Sequence, residues 1–178
     1  MLKTNNFRQI MKWIYYKNSS NTARYALGQY KKVEGKTLLC VGINPSTATP
    51  NYLDSTLKKV VSLATTNNYA NWIMLNIYPQ RATNPNGLHH HIDDRLHRKN
   101  LQIIKRILGK FVNADIMFAY GNLIDKRDYL QRCKSDFAKT IRASRFTGNT
   151  FCVKMTAKGN PAHPLYLSAN SALQEYTI

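Results

Sequence analysis

The hydrophobic residues of the chain are concentrated in four short runs rich in residues that favour β-strands. Each run is nearly continuously apolar rather than alternating, which is typical of strands that are covered on both faces. The four runs are TLLCVGI (37–43), WIMLNI (72–77), DIMFAY (115–120) and NTFCVKM (149–155). The pattern therefore predicts four strands that lie between two layers of other elements.

Apolar residues at helical spacing lie between these runs. The stripes are Leu57, Val60, Val61 and Ala64; Ile103, Ile104, Ile107 and Leu108; and a weaker one over 123–141. Strands that alternate with helices imply right-handed crossovers and a mostly parallel sheet. We therefore expect an α/β fold: a three-layer sandwich with a central, mostly parallel four-stranded sheet.

The first 33 residues contain no acidic residue and combine basic residues with apolar ones at helical spacing. The apolar residues are Phe7, Ile10, Met11 and Ile14. A transit peptide has a similar pattern, but a basic amphipathic helix explains it as well. We expect residues 1–33 to form a basic helical segment packed on or flanking the α/β core. A chain of 178 residues with 43% hydrophobic composition suits one core, so we expect a single domain over 1–178.

The chain has a large excess of basic residues, with 26 Lys and Arg against 9 Asp and Glu and a formal net charge of +17. Such a charge repels itself unless a polyanion is near, which indicates a nucleic-acid partner. No apolar run approaches the roughly 20 residues of a membrane span. Three widely spaced cysteines without a Cys-x-x-Cys pair fit a reducing compartment and argue against a disulfide framework. We expect a monomer in the cytoplasm, bound to nucleic acid and not to a membrane.

Polar loops follow all four predicted strands. They read GINPSTA, NIYPQRAT, YGN and TAKGNPAHPLYLS. Because the carboxyl ends of parallel strands lie along one edge of a sheet, these loops can meet in one crevice. Four such loops together predict a ligand site.

Three residues in these loops are candidates for chemistry. Asn44 lies between Gly42 and Pro45 in a tight turn, where the glycine permits close approach of the backbone to a ligand. Asn76 ends an apolar strand and must either cap backbone groups or bind a ligand, because an unsatisfied buried amide costs about 1–3 kcal/mol. His163 lies in a stiff, turn-rich loop after the last strand. Its position opposite the Asn44 turn favours a functional role.

Several charged residues have a structural interpretation beside a functional one. Asp54 precedes the first predicted helix, so it can cap that helix or act as a water-activating base. Arg81 can bind a phosphate or a nearby carboxylate. The histidine-rich segment 89–97 places Asp93 and His97 one helical turn apart, as in some metal sites. Because internal histidine runs are more often solvated loops, we expect neither a metal nor another cofactor.

The four loop motifs, taken in order, resemble those of an uncharacterised bacterial and phage protein family. The likeness covers roughly Tyr25 to Ser168. More distantly, the layout resembles the uracil-DNA glycosylase superfamily, whose mismatch-specific branch has a similar Gly-Ile-Asn-Pro turn after the first strand. That branch also has an asparagine closing the second strand and a histidine-proline loop after the last. The resemblance implies a uracil-DNA glycosylase-like fold.

This wider resemblance implies a role for each matching residue. Asn44 would position the attacking water, and Asn76 would hydrogen-bond the edge of an extruded base. His163 would stabilise negative charge on the departing base. No matching motif fixes the aromatic residue that stacks on the base, for which Tyr52 and Tyr78 are the candidates.

The same resemblances imply a nucleoid-associated protein of a bacterial or phage-infected cell that binds duplex or single-stranded DNA. Ser46 and Ser168 would contact phosphate, and Leu165 or Tyr166 would fill the gap that the extruded base leaves in the stack. These two residues follow the histidine-proline pair where the superfamily usually has serine and proline.

The most active branch of the superfamily has an aspartate where this chain has Asn44. Water activation is therefore expected to be weaker here or to depend on Asp54.

Charge, loops and resemblance together favour a monofunctional DNA glycosylase that removes a uracil, a damaged base or a phage-type modified base in repair or phage defence. Two alternatives remain at this point. A non-catalytic module would use the crevice only to hold a nucleotide. A nuclease would use Asp54, Asp93 and Asp94 with a metal ion.

Overall fold

Residues 10–178, which are those that this computed structural model describes, form a mixed α/β fold with one seven-stranded sheet and three α-helices. The strands are β1 (Lys12–Lys17), β2 (Arg24–Tyr30), β3 (Thr37–Gly42), β4 (Asn71–Asn76), β5 (Asp115–Phe118), β6 (Thr150–Cys152) and β7 (Gln174–Glu175). The α-helices are α1 (Ser55–Thr66), α2 (Asp94–Lys110) and α3 (Tyr129–Arg142). Short 3₁₀ helices span Pro85–Gly87, Gly121–Asp125 and Pro164–Tyr166. The strand order in the sheet is β1-β2-β4-β3-β5-β6-β7.

The four strands predicted from the apolar runs form the middle of this sheet. β3 pairs in parallel with β4 and with β5, and β5 pairs in parallel with β6. The expectation of a four-stranded, mostly parallel sheet is nevertheless wrong for the sheet as a whole. β1, β2 and β7 join it through three antiparallel pairings, equal in number to the parallel ones. The sheet is therefore mixed.

The expected N-terminal helix is wrong from residue 10 onward, because this part of the chain forms the β1–β2 hairpin. Its sequences KWIYYK and RYALGQY are rich in aromatic residues, which favour strands. β2 also pairs with β4, so it lies between two other strands. A Cβ at Gly28 would lie 2.4 Å from the carbonyl oxygen of Trp72, so only glycine permits this close approach. Phe7, part of the expected helix, lies outside the described residues.

The sheet has a hydrophobic cluster on each face. Leu39 and Val41 of β3 belong to the cluster that includes the buried residues of α2 and α3. Leu38 and Cys40, which alternate with them, belong to the cluster that includes the buried residues of α1. Alternate side chains of one strand point to opposite faces. This is why β3 is apolar at nearly every position.

No helix within residues 10–178 combines the length and the apolar composition needed to cross a bilayer.

Candidate functional site

A cavity of about 740 Å³ lies at the carboxyl edge of the parallel strands. The chain leaves β3 toward α1 on one face of the sheet and leaves the neighbouring strand β5 toward α3 on the other face. Open α/β sheets bind ligands at such a point, where adjacent connections diverge. The volume falls within the range of about 300–1,000 Å³ that is usual for small-molecule sites. Both position and size therefore indicate a ligand site.

The cavity wall brings together seven of the residues that the sequence singled out. They are Gly42, Asn44, Ser46, Asp54, His163, Leu165 and Tyr166. They come from the end of β3, the loop to α1, and the segment around the 3₁₀ helix Pro164–Tyr166. The convergence of the first and last polar loops is thus confirmed.

The two polar atoms of the Asn44 side chain differ in their hydrogen bonding: Nδ2 has protein partners and Oδ1 has none within the described residues. Its Nδ2 donates to the carbonyl oxygens of Ala82 at 2.8 Å and Pro45 at 3.1 Å. The bond to Ala82 ties the loop after β3 to the loop after β4. Within residues 10–178 no protein group donates to Asn44 Oδ1. The amide therefore offers an acceptor, and not a donor, to a ligand or a water molecule.

Asp54 lies in the cavity wall and also caps α1. Its Oδ1 accepts a hydrogen bond from the backbone N–H of Leu57 at 2.9 Å, as an N-cap residue does. The capping role expected from the sequence is confirmed. Because the cap uses one oxygen, the other remains free for chemistry in the cavity.

His163 is held with one ring nitrogen as an acceptor. Its Nδ1 accepts from the backbone N–H of Leu165 at 3.3 Å, so the neutral ring carries its proton on Nε2. Burial lowers the pKa of His163 below its ordinary value, and the carboxylate of Asp54 acts in the opposite direction. The imidazole is therefore neutral at pH 7 and offers Nε2–H as a hydrogen-bond donor.

Gly121 lies against the loop that carries His163 and helps to position it. Its N–H donates to the carbonyl oxygen of Pro161 at 2.8 Å. Its φ of +65° lies in the left-handed region, and a Cβ there would be 3.3 Å from the Cβ of His163. Both conditions favour glycine. The Tyr-Gly-Asn turn after β5 thus supports the loop that carries His163.

Asn76 lies just behind the cavity wall. It is fully buried, and both polar atoms of its side chain lack a partner within residues 10–178. A Cβ at Gly42, which lines the cavity, would be 3.4 Å from Asn76 Oδ1. The alternative that Asn76 caps backbone groups is therefore wrong. Its amide is a free donor and acceptor beside the cavity.

A family model described as a protein of unknown function, DUF1643, matches residues 24–165. The chain belongs to the DUF1643 family. The matched segment begins at Arg24 and ends at Leu165, so every cavity-lining residue except Tyr166 lies within the DUF1643 match. No curated protein matches the chain. The wider resemblance to uracil-DNA glycosylases stays a prediction.

The DUF1643 fold does not bring either candidate stacking tyrosine to the cavity wall. Tyr78 is fully buried in the cluster on the α2 and α3 face. Its hydroxyl accepts from the N–H of Asp93 at 3.0 Å and hydrogen-bonds His89 Nδ1 at 2.9 Å. Burial raises the pKa of Tyr78 to about 12. Tyr52 is 63% exposed, outside the wall; among the tyrosines, Tyr120 and Tyr166 line it instead.

Two predicted phosphate ligands also lie outside the wall. The guanidinium of Arg81 donates to the carbonyl oxygens of Ser46 and Ala48 and to the hydroxyl of Tyr15. It therefore holds the loop after β3 instead of binding a phosphate at the surface. Ser168 follows the last 3₁₀ helix, where its hydroxyl accepts from the N–H of Asn170.

The histidine-rich segment has structural roles in the DUF1643 fold. Asp93 caps α2 by accepting from the N–H of Leu96 at 2.9 Å. His97 is 2% exposed and its Nε2 lies 3.1 Å from a carboxylate oxygen of Asp136 on α3. Within residues 10–178, no three His, Cys, Asp or Glu side chains are grouped so that they could hold a metal ion.

Arg24 is a site residue that the sequence analysis missed. It lines the cavity, is 1% exposed, and donates from Nη1 to the carbonyl oxygen of Ala48 at 3.1 Å. The helical interpretation of the first 33 residues concealed it. An arginine at the start of the run RYAL was the available signal, because a charged residue beginning a buried strand needs a partner.

Proposed function

We propose that the protein is a monofunctional DNA glycosylase, which extrudes a base from DNA and hydrolyses its N-glycosidic bond. The observation that carries this proposal is the meeting of Asn44, Asp54 and His163 around one cavity of about 740 Å³. The cavity offers an acceptor, a carboxylate and a neutral N–H donor. Those are the groups that hydrolysis of a glycosidic bond requires.

His163 would stabilise the departing base. As the bond from C1′ to the base nitrogen breaks, its electron pair moves onto the base and a carbonyl oxygen of the base becomes negative. A neutral imidazole already carries the Nε2–H that donates to that oxygen, so its charge does not have to change first. A preorganised donor aimed at developing charge in a dry site contributes about 3–4 kcal/mol.

Asn44 and Asp54 would prepare the water. The free Oδ1 of Asn44 can accept one hydrogen of a water molecule, which orients the water toward C1′. The carboxylate of Asp54 takes the proton as the oxygen bonds to the sugar. The hydrogen bonds of Asn44 support this division, because its Nδ2 already donates to Ala82 and Pro45.

Asn76 would select the base. An amide with a free donor and a free acceptor matches the edge of a base that presents both. Met74 lines the cavity and, like Asn76, lies against Gly42. Because a methionine side chain is flexible, its movement can open the way from the cavity to the amide. Binding of the base then satisfies the two polar atoms that are unpartnered in the free protein.

The surface of α2 would contribute affinity for DNA. Six basic residues of this helix are exposed, and none of them lies within 4.0 Å of a carboxylate oxygen of the described residues. They are Arg95, Arg98, Lys99, Lys105, Arg106 and Lys110.

At the cavity rim, Leu165 and Tyr166 are 47% and 77% exposed, which suits insertion into a base stack. Rotation of the nucleotide costs a few kcal/mol, which such contacts offset.

The nuclease alternative has less support from the structure. Of its three carboxylates, only Asp54 lines the cavity, because Asp93 caps α2 and Asp94 pairs with Arg132 at 3.1 Å. The alternative of a non-catalytic module is compatible with the same cavity and basic surface. Only an assay for released base distinguishes it from the glycosylase.

The deciding experiment treats oligonucleotides with uracil or damaged bases, and modified phage DNA, with the protein and measures free base by mass spectrometry. We expect a released base and an alkali-labile site. Asn44→Ala and His163→Ala should each lose base release and retain DNA binding. His91→Ala, at an exposed position outside the wall, is the matched control. Strand breaks abolished by a chelator would indicate the nuclease, and salt-sensitive binding without product the module.

A further inference from the structure

Arg24 is a buried cation without a counter-ion. Its side chain is 1% exposed, and its Nε is buried without a hydrogen-bond partner within residues 10–178. In the same part of the chain, no carboxylate oxygen lies within 4.0 Å of its guanidinium. Burial of a charge without a partner is costly. Its one bond, from Nη1 to the carbonyl oxygen of Ala48, needs a donor but no charge.

A second guanidinium increases the local positive charge. Arg81 also donates to the carbonyl oxygen of Ala48, and its Nε is likewise buried without a partner in the described chain. Burial and then Arg81 lower the pKa of Arg24 to about 10, with Asp54 opposing them. Arg24 therefore remains charged at pH 7. Two guanidinium groups and the carboxylate of Asp54 leave one positive charge uncompensated.

The first turn of α1 points to the same ligand chemistry. Ser55 and Thr56 line the cavity together with Arg24. The side chain of Asp54 uses only the N–H of Leu57, and the N–H groups of Ser55 and Thr56 donate to no backbone group of the described chain. The start of a helix favours anions. A buried cation and free N–H groups thus face one cavity.

We propose that Arg24 binds a phosphate group of the nucleotide whose base enters the cavity. A phosphodiester carries one negative charge, which balances the one left uncompensated at Arg24. The cavity of about 740 Å³ has room for a sugar and a phosphate beside the base. This inference rests on the proposed function and adds a phosphate contact to the extruded nucleotide. The ligand must carry a phosphate, either within a DNA strand or as a free mononucleotide, so nucleosides and free bases are excluded.

The test measures binding by calorimetry, without any reaction. One arm compares each of the four deoxynucleosides with its 5′-monophosphate. The other compares a short single strand with versions in which one linkage at a time is an uncharged methylphosphonate. We expect about a 10-fold preference for the phosphate in at least one arm, the usual scale of one hydrogen bond to a charged group. A preference in the first arm alone indicates free mononucleotides, and in the second alone a strand.

Arg24→Met, which keeps an unbranched side chain only as far as the position of Nε and removes the charged guanidinium, should reduce this preference to about 2-fold or less. Arg24→Lys should retain part of it. Arg145→Met is the matched control, because this arginine is exposed and lies outside the cavity wall. If Arg24→Met does not fold, the comparison in the unchanged protein and in Arg24→Lys still decides the question.

Equal affinity for charged and uncharged probes overturns the proposal, and so does a preference that survives Arg24→Met. Failure of every probe to bind also counts against it. A phosphate preference without base release from any DNA supports the phosphate site at Arg24 and contradicts the proposed glycosylase activity. Base release without a phosphate preference supports the glycosylase activity and contradicts the phosphate site at Arg24.

Discussion

The side-chain nitrogen of Asn44 lies 2.8 Å from the carbonyl oxygen of Ala82, and this bond joins the loops that follow β3 and β4. The same residue therefore supports the cavity and faces it. A substitution at Asn44 has structural and functional effects that separate measurements can resolve.

Asn44→Asp should destabilise the protein at neutral pH. A carboxylate cannot donate to the carbonyl oxygens of Ala82 and Pro45, and it repels them. We expect the free energy of unfolding to fall by about 1–3 kcal/mol. The loss should shrink at acidic pH, where the carboxyl group is protonated and donates again. Urea unfolding at several pH values measures the effect, and a loss that does not change with pH would contradict this account.

Asn76→Leu should stabilise the protein while abolishing base selection. The substitution removes two unpartnered buried polar atoms, which cost about 1–3 kcal/mol. Asn71→Leu is the contrasting control, because Asn71 accepts from the N–H of Lys31 and donates to the carbonyl oxygens of Lys32 and Gly35. It should destabilise by about 3 kcal/mol. Urea unfolding compares the two variants, and destabilisation by Asn76→Leu would show that its amide has partners.

Gly121→Ala should reduce base release and stability together. A side chain at φ +65° is strained by about 1–2 kcal/mol, and the new Cβ would press on His163 from 3.3 Å. Gly109→Ala provides the control, since a Cβ there meets nothing within 4 Å and α2 should gain about 0.5–1 kcal/mol. Thermal unfolding and a base-release assay measure both effects. Full base release by Gly121→Ala would argue against the proposed role of His163.

Acidic pH should destabilise the protein through His163. Burial keeps the pKa of its folded imidazole below the ordinary 6.5, so between the two values the unfolded chain binds more protons. Stability is therefore complete above pH 6.5 and falls as the pH drops toward the folded pKa. The difference in unfolding free energy between the unchanged protein and His163→Gln should decline by at most about 1.4 kcal/mol per pH unit. Parallel pH profiles would refute the assignment.

Removing charge from α2 should weaken DNA binding in a salt-dependent way. Arg98→Gln combined with Lys105→Gln should reduce the slope of log K against log salt by about 0.9 for each phosphate that the helix no longer neutralises. Arg142→Gln combined with Arg145→Gln removes the same charge from exposed positions elsewhere. Fluorescence anisotropy at several salt concentrations compares the pairs. Equal slopes would show that α2 contributes only to the net charge.

The part of the fold that the sequence predicted is the part in which burial controls residue type. β3 is apolar at nearly every position because both of its faces are covered, and α1 keeps Leu57, Val60 and Ala64 on one buried side. The β1–β2 hairpin was missed because four apolar residues over 7–14 matched helical spacing, whereas pairing with β4, distant in sequence, decides the structure there.

The site was predictable to the extent that parallel strands end at one edge, which brings Asn44 and His163 together. The orientation of single side chains was not. Tyr78 follows a parallel strand as Asn44 does, yet its ring lies in the core on the other face of the sheet. Arg24 could not be placed without the hairpin that carries it.

The cavity is closed by residues from both ends of the matched segment, because Arg24 lies in β2 and His163 just before the last 3₁₀ helix. During synthesis Arg24 therefore precedes His163 by most of the matched segment, and the cavity wall is complete only when both have been made. Protease cleavage between these two residues leaves fragments that each hold only part of the cavity lining. A chain truncated before His163 therefore lacks an intact cavity.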